Sequence, residues 1–166
     1  MSGGPSVGGL RGIVLLIAIS VPIWLGLETL LRTYVLGPLY GPLIAEVRAV
    51  YFPEVTPEIM AERSTRIAWV LLGVTVLAGI VGVALLRPVV ARGGQSASPE
   101  SKVRDTLLLM TSIPQVPGLL STLCLLGGAA WTPVLVCVGV STAFVVVQGF
   151  VGERLLADIR DTVAAT

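Results

Sequence analysis

Four stretches of about 20 residues each carry almost no charge, and charged residues close their ends. That pattern leaves a chain little choice of fold. The first stretch runs from Gly12 to Leu31, between Arg11 and Arg32. The second runs from Ile67 to Leu86, between Arg66 and Arg87. The third runs from Thr106 to Leu126, after Arg104 and Asp105, and the fourth from Thr132 to Val151, before Glu153 and Arg154. A helix crosses a ~30 Å hydrocarbon core with about 20 apolar residues. An unpaired charge at mid-membrane is costly, so the bounding charges mark where each helix leaves the lipid. Backbone polar groups in lipid must be satisfied inside the segment, which makes these stretches helices. The expected fold is all-α: a single integral membrane domain over 1–166, with four transmembrane helices arranged as two hairpins. An outer loop covers 33–65 and a cytoplasmic linker covers 88–102.

Composition narrows the function classes. Hydrophobic residues make up 54% and charged residues 13%, about half the ~25% typical of soluble domains. A disordered chain needs the opposite balance. A net charge of +1 provides no electrostatic footprint for nucleic acid, so no nucleic-acid partner is expected. The chain has no histidine, which removes the commonest metal ligand, general base and haem ligand. No CxxC, phosphate loop or Ser/His/Asp set is present, so neither an enzyme nor a bound cofactor is expected. Cys124 and Cys137 lie inside apolar runs and read as small buried hydrophobes.

The first span carries a small-x-small pattern at Ala18 and Ser20, as a cleaved signal peptide would. Its apolar run continues past them through Val21, Ile23, Trp24, Leu25 and Leu27, and its basic flank is Arg11 alone. A retained anchor is therefore expected. With four spans, both termini share a side. That side holds Arg11, Arg87, Arg92, Lys102, Arg104, Arg154 and Arg160, against Arg32, Arg48, Arg63 and Arg66 opposite. The positive-inside rule places both termini in the cytoplasm.

The first loop has structure of its own. Leu39, Leu43, Ile44, Val47, Val50 and Tyr51 recur at helical spacing, with Glu46 and Arg48 off the stripe. This predicts a short amphipathic helix, started by Pro38 and Pro42 and ended by Pro53. It serves either as a cover over the bundle or as a surface for membrane or partner. Thr56-Pro57-Glu58 is a helix start: an N-cap hydroxyl, a proline in the first position and an acid in the first turn. The second helix then begins near Pro57 and runs for about 30 residues, ~45 Å. The second loop, with Gly93-Gly94-Gln95-Ser96-Ala97-Ser98-Pro99, is a flexible polar linker. Gly127-Gly128-Ala129-Ala130-Trp131 joins the last two spans as antiparallel neighbours, with Trp131 at the interface and Pro133 in a first helical turn. Leu155, Leu156, Ile159 and Val163 continue the helical spacing beyond the last span.

Few residues could carry chemistry. Glu28 is the one acid in an apolar run, and an intramembrane carboxylate is a functional candidate by default. It also lies four residues before Arg32, where an ion pair is the structural alternative. A proton or cation site would need further polar groups; Ser20, Ser112, Gln115 and Gln148 are the candidates. Ser112-Ile113-Pro114-Gln115-Val116-Pro117-Gly118 predicts a kink or a broken third helix. Unwound segments line substrate sites in some transporters. Close helix contacts are marked by Thr75 with Gly79, Ala78 with Gly82, Gly118, and Gly139 with Ala143.

The stretch Leu107-Leu-Leu-Met-Thr-Ser-Ile-Pro-Gln-Val-Pro-Gly-Leu-Leu, followed by Gly127-Gly128 and a second apolar helix, resembles the proteolipid (c-type) subunits of rotary ATPases. The chain is similar in this respect to small bacterial four-helix membrane proteins that carry such a hairpin. Matching on Pro114 and Gly118 puts Ser112 where that family has its ion-carrying glutamate. The fourth span has no carboxylate either. The resemblance therefore implies a bacterial inner-membrane protein with a proteolipid-like packing hairpin that lacks the rotor chemistry. Two functions follow as expectations. One is a non-catalytic structural or accessory subunit in the lipid bilayer, packing laterally with itself as a homo-oligomer or with other membrane subunits. The other is a proton- or ion-conducting protein using Glu28 and a proline-broken third span. The topology has a direct check: a cysteine placed at Glu54 reacts with a membrane-impermeant maleimide from outside the cell, and reaction only from the cytoplasmic side would invert the orientation.

Overall fold

The computed structural model describes residues 7–31, 34–35, 37–92 and 99–164. Among them there is no strand. The order is α1 (Val7–Leu31), α2 (Gly37–Tyr51), α3 (Pro57–Arg92), α4 (Pro99–Leu123), a short 3-10 turn (Cys124–Gly127) and α5 (Trp131–Ala164). Four helices are long and apolar enough to cross a membrane: α1, α3, α4 and α5. α3, α4 and α5 pack pairwise against one another, and α1 lies on the outside of this trio against α4 and α5. Among the described residues, α2 shares no comparable interface with any of them.

Local chemistry sets the helix ends. The Ile59 N–H donates to Thr56 Oγ1 at 3.3 Å and the Met60 N–H to the Thr56 carbonyl at 3.1 Å. This is the N-cap that Thr56-Pro57-Glu58 predicts. α2 ends at a turn in which the Val55 N–H reaches the Phe52 carbonyl at 3.0 Å. The α4–α5 connection closes with Gly128 at φ 84°, a left-handed conformation that only glycine adopts without strain. This turn is docked on the outer end of α3. The Ala130 N–H donates to Thr65 Oγ1 at 2.9 Å, and a Cβ on Gly127 would overlap the Ser64 hydroxyl.

Two boundaries differ from the sequence reading, and the last helix runs on through the tail as its spacing predicts. α3 spans 36 residues, ~54 Å, because it continues through Pro88 to Arg92. Leu86 and Val90 are buried there against Val103 and Leu107, which offsets the backbone bond that Pro88 removes. The linker 88–102 is correspondingly shorter, since α4 starts at Pro99; residues 93–98 lie outside the described ones. The last helix runs 34 residues to Ala164, so the tail extends it.

The third span is not broken. α4 is continuous from Pro99 to Leu123 with Pro114 and Pro117 inside it. Both prolines are buried, and α5 supports this stretch. Ser141 Oγ donates to the Pro114 carbonyl at 3.0 Å, and the Cys137 thiol lies 3.9 Å from the Pro117 carbonyl. These contacts brace the stretch, while the carbonyls that Pro114 and Pro117 leave without a helical donor are those of Met110 and Ile113.

Glycines let the helices meet. A Cβ on Gly79 would run into the Phe144 ring, and one on Gly82 into the Gln148 amide. Gly118 faces the Ser141 side chain. The small-residue face of α3 is therefore used inside the bundle, as Thr75, Gly79 and Gly82 are all buried and Ala78 is half-buried. Gly79→Leu is expected to destabilise by about 1–3 kcal/mol through overpacking, and Gly128→Ala by about 1–2 kcal/mol through the left-handed backbone. Reversible unfolding in mixed micelles reads both.

Candidate functional site

Two apolar clusters divide the bundle. Towards the termini, Leu86 and Val90 of α3, Val103, Leu107 and Met110 of α4 and Leu156 of α5 pack together, with Val14 of α1 against them. Towards the α4–α5 turn, Val21 and Leu25 of α1, Ala68 of α3, Leu125 of the 3-10 turn, and Val134 and Val138 of α5 form the second cluster. Between them lies a layer of buried polar side chains: Thr75, Thr111, Gln115, Ser141 and Gln148. This layer is the candidate site.

Most hydroxyls in the layer are satisfied by their own helix. Thr75 Oγ1 donates to the Leu71 carbonyl at 2.8 Å and Thr111 Oγ1 to the Leu107 carbonyl at 2.8 Å. Such back-bonding lets Thr and Ser sit in lipid without a partner helix. The cross-helix contacts are fewer. Gln115 Nε2 donates to the Ile17 carbonyl and lies 3.4 Å from Ser20 Oγ, tying α1 to α4. Thr75 Oγ1 lies 3.2 Å from Cys137 Sγ, joining α3 to α5. Cys137 is buried and Cys124 half-buried, and both thiols are free.

Of the five sequence candidates, Ser20 and Gln115 meet, and Glu28, Ser112 and Gln148 stand apart. Ser112 is exposed on the outer face of α4, bonded at 2.8 Å to its own Leu108 carbonyl. Gln115 is committed to α1. Gln148 is fully buried against Gly82, near the Met110 carbonyl. Pro114 leaves that carbonyl without its helical donor. Among the described residues, neither amide atom of Gln148 has a hydrogen-bond partner. Glu28 lies one turn beyond Leu25, on the far side of the outer apolar cluster and within electrostatic reach of Cys124. It is buried, and neither carboxylate oxygen has a partner among the described residues. The expected partner, Arg32, lies outside the described residues.

Spacing on the helices shows what this arrangement can do. Ser20 and Glu28 are eight residues apart on α1, ~12 Å, with Val21 and Leu25 buried between them. Ser141 and Gln148 are seven apart on α5, ~10 Å, with buried Val145 between them. A proton relay needs neighbouring groups within hydrogen-bond reach or one water away. The cross-helix ties of the layer, Gln115 to Ile17, Thr75 to Cys137 and Ser141 to Pro114, thus stand as separate contacts. Among the described residues, no group of three or more His, Cys, Asp or Glu gathers to hold a metal.

The sequence reading missed two features. One is the Cys137–Thr75 contact, whose residues are 62 apart in the chain. The other is a lateral groove of about 400 Å³ between α1 and α5, lined by Val14, Ala18, Val146, Phe150 and Glu153. Neither has a sequence signal, since each depends on which faces of distant helices meet. Comparison with known proteins finds no matching family model, curated protein or solved structure.

The two glutamines predict opposite responses. Gln115→Met removes the α1 tie and is expected to lose about 0.6–2 kcal/mol, the range of membrane helix hydrogen bonds. Gln148→Met keeps the shape and removes a buried amide that finds no partner, so stability is expected to hold or rise. Unfolding free energies of both variants in mixed micelles check the contrast.

Proposed function

We propose that this chain is a non-catalytic integral membrane protein, a structural or accessory subunit that packs laterally with itself or with a larger membrane complex. The observation that carries this reading is the Gly139/Ala143 face of α5. Thr75, Gly79 and Gly82 of α3 and Gly118 of α4 are used within the bundle. Gly139 and Ala143 are exposed, and nothing lies within 4 Å of where a Gly139 Cβ would stand. They form a shallow strip flanked by exposed Leu135, Val136, Val146 and Val147. In lipid, helix association is driven by close packing rather than by water exclusion, and a small-xxx-small strip permits that approach. The resemblance of the last two helices to a proteolipid hairpin supports the same role, as a packing unit. In this reading the protein resides in a bacterial inner membrane with both termini cytoplasmic, as its basic residues favour.

The second reading, proton or ion conduction through Glu28, draws on the burial of that carboxyl without a partner among the described residues. Against it stand the apolar clusters at both ends of the polar layer and the continuity of α4. Two variants separate the readings. Gly139→Leu is expected to convert the assembled species to smaller ones in size measurements in detergent and by subunit counting in bilayers. Glu28→Gln is expected to leave ion flux in reconstituted vesicles unchanged. Unaltered assembly in the first variant counts against lateral packing at this face, and flux lost in the second favours conduction.

A further inference from the structure

We infer that α2 is a membrane-interface helix, seated in the lipid head-group region by the arc that carries Leu39, Leu43, Val47 and Val50. At 100° per residue these four positions fall within an arc of roughly 80°, with Gly41 and Ala45 diametrically opposite. All four apolar side chains are exposed, between 45% and 67%, and α2 packs on no other helix to a comparable extent. Such a face in water would be an unfavourable apolar surface, so something covers it.

Chain connectivity identifies the cover. The α1 span ends at Leu31, and the next candidate span begins at Pro57, directly after α2 and its turn. Six residue steps separate Leu31 from Gly37, a reach of at most about 20 Å even when fully extended. α2 is thus tethered at one end to the point where α1 leaves the lipid and at the other to α3, whose charged first turns run ten residues, ~15 Å, before its apolar stretch begins at Ile67. Its charges do not call for a charged partner: Glu46 and Arg48 are the only ones in Gly37–Tyr51, and they cancel. An interfacial helix of this kind buries its apolar face about 5–10 Å into the head-group and acyl boundary. Neutral lipid suffices, and the tether replaces the anionic attraction that free amphipathic helices need. This assignment does not depend on the lateral contact at Gly139.

The test uses the full chain, purified and placed alone in phosphatidylcholine nanodiscs at one copy per disc. Single cysteines are introduced by Ala45→Cys, Leu43→Cys and Val47→Cys in a background with Cys124→Ala and Cys137→Ala. The background is checked for unchanged helix content and thermal unfolding; if it unfolds, Cys137→Ser replaces Cys137→Ala. A membrane-impermeant maleimide is expected to label L43C and V47C about tenfold more slowly than A45C, because they lie below the head groups. A nitroxide attached at Val47 is expected to collide with dissolved oxygen, which concentrates in lipid, and not with a water-soluble nickel chelate. Equal labelling of all three positions overturns the inference by placing α2 in water. A Val47 nitroxide shielded from both oxygen and nickel overturns it too, because protein rather than lipid then covers the face.

Discussion

Inside hydrocarbon, each backbone donor and acceptor must find its partner within the protein, and the rest of this structure depends on that constraint. It makes every spanning segment a helix, and it turns each proline there into a local problem that a neighbouring helix has to solve. α4 carries two such prolines. Pro114 and Pro117 remove two helical donors, yet the helix is continuous, and α5 packs on the same stretch through Ser141 and Cys137 at the Pro114 and Pro117 carbonyls. The region that looked most like a broken, ligand-lining segment is a packed helix contact.

That support requires close approach. Gly118 allows the Ser141 side chain in, and Gly79 and Gly82 let α3 close over Phe144 and Gln148. The hydroxyls of Thr75 and Thr111 bond back to their own helices, and Thr75 also meets Cys137 of α5. α1 is the exception. It joins the trio from outside, and Gln115 is its principal polar attachment. The bundle is thus a compact three-helix core with a fourth helix added along one side and an interfacial helix linking that fourth helix to the core.

Much of this was legible in the residues. Charged ends mark the four spans, Thr56-Pro57-Glu58 marks the start of α3, and Gly127-Gly128 marks the tight α4–α5 turn. Each is a local signal: a transfer energy, a cap, a backbone conformation. The candidate site was legible only in part. Glu28, Gln115 and Gln148 stood out as polar groups in apolar runs, and all three are buried. Their separation was not legible, nor was the outward placement of Ser112. The linker and the proline segment misled for one reason: propensity ends a helix at Pro88 or Pro114, whereas burial of Leu86 and Val90 in α3 and of the prolines themselves in α4 goes with a continuous helix.

By itself, the sequence determined that this chain is helical and carries four stretches able to span a membrane, and where its helices begin and end to within a few residues at most boundaries. These follow from length, charge position and capping, which act over a few residues. Only the tertiary structure decided which faces meet: that Thr75, Gly79 and Gly82 of α3 are used inside while Gly139 and Ala143 remain outside, that Gln115 ties α1 while Gln148 finds no partner among the described residues, and that α2 shares no comparable interface with the other helices among the described residues. Those choices depend on the rotation of each helix about its axis, and that rotation is set by side chains brought together from distant parts of the chain.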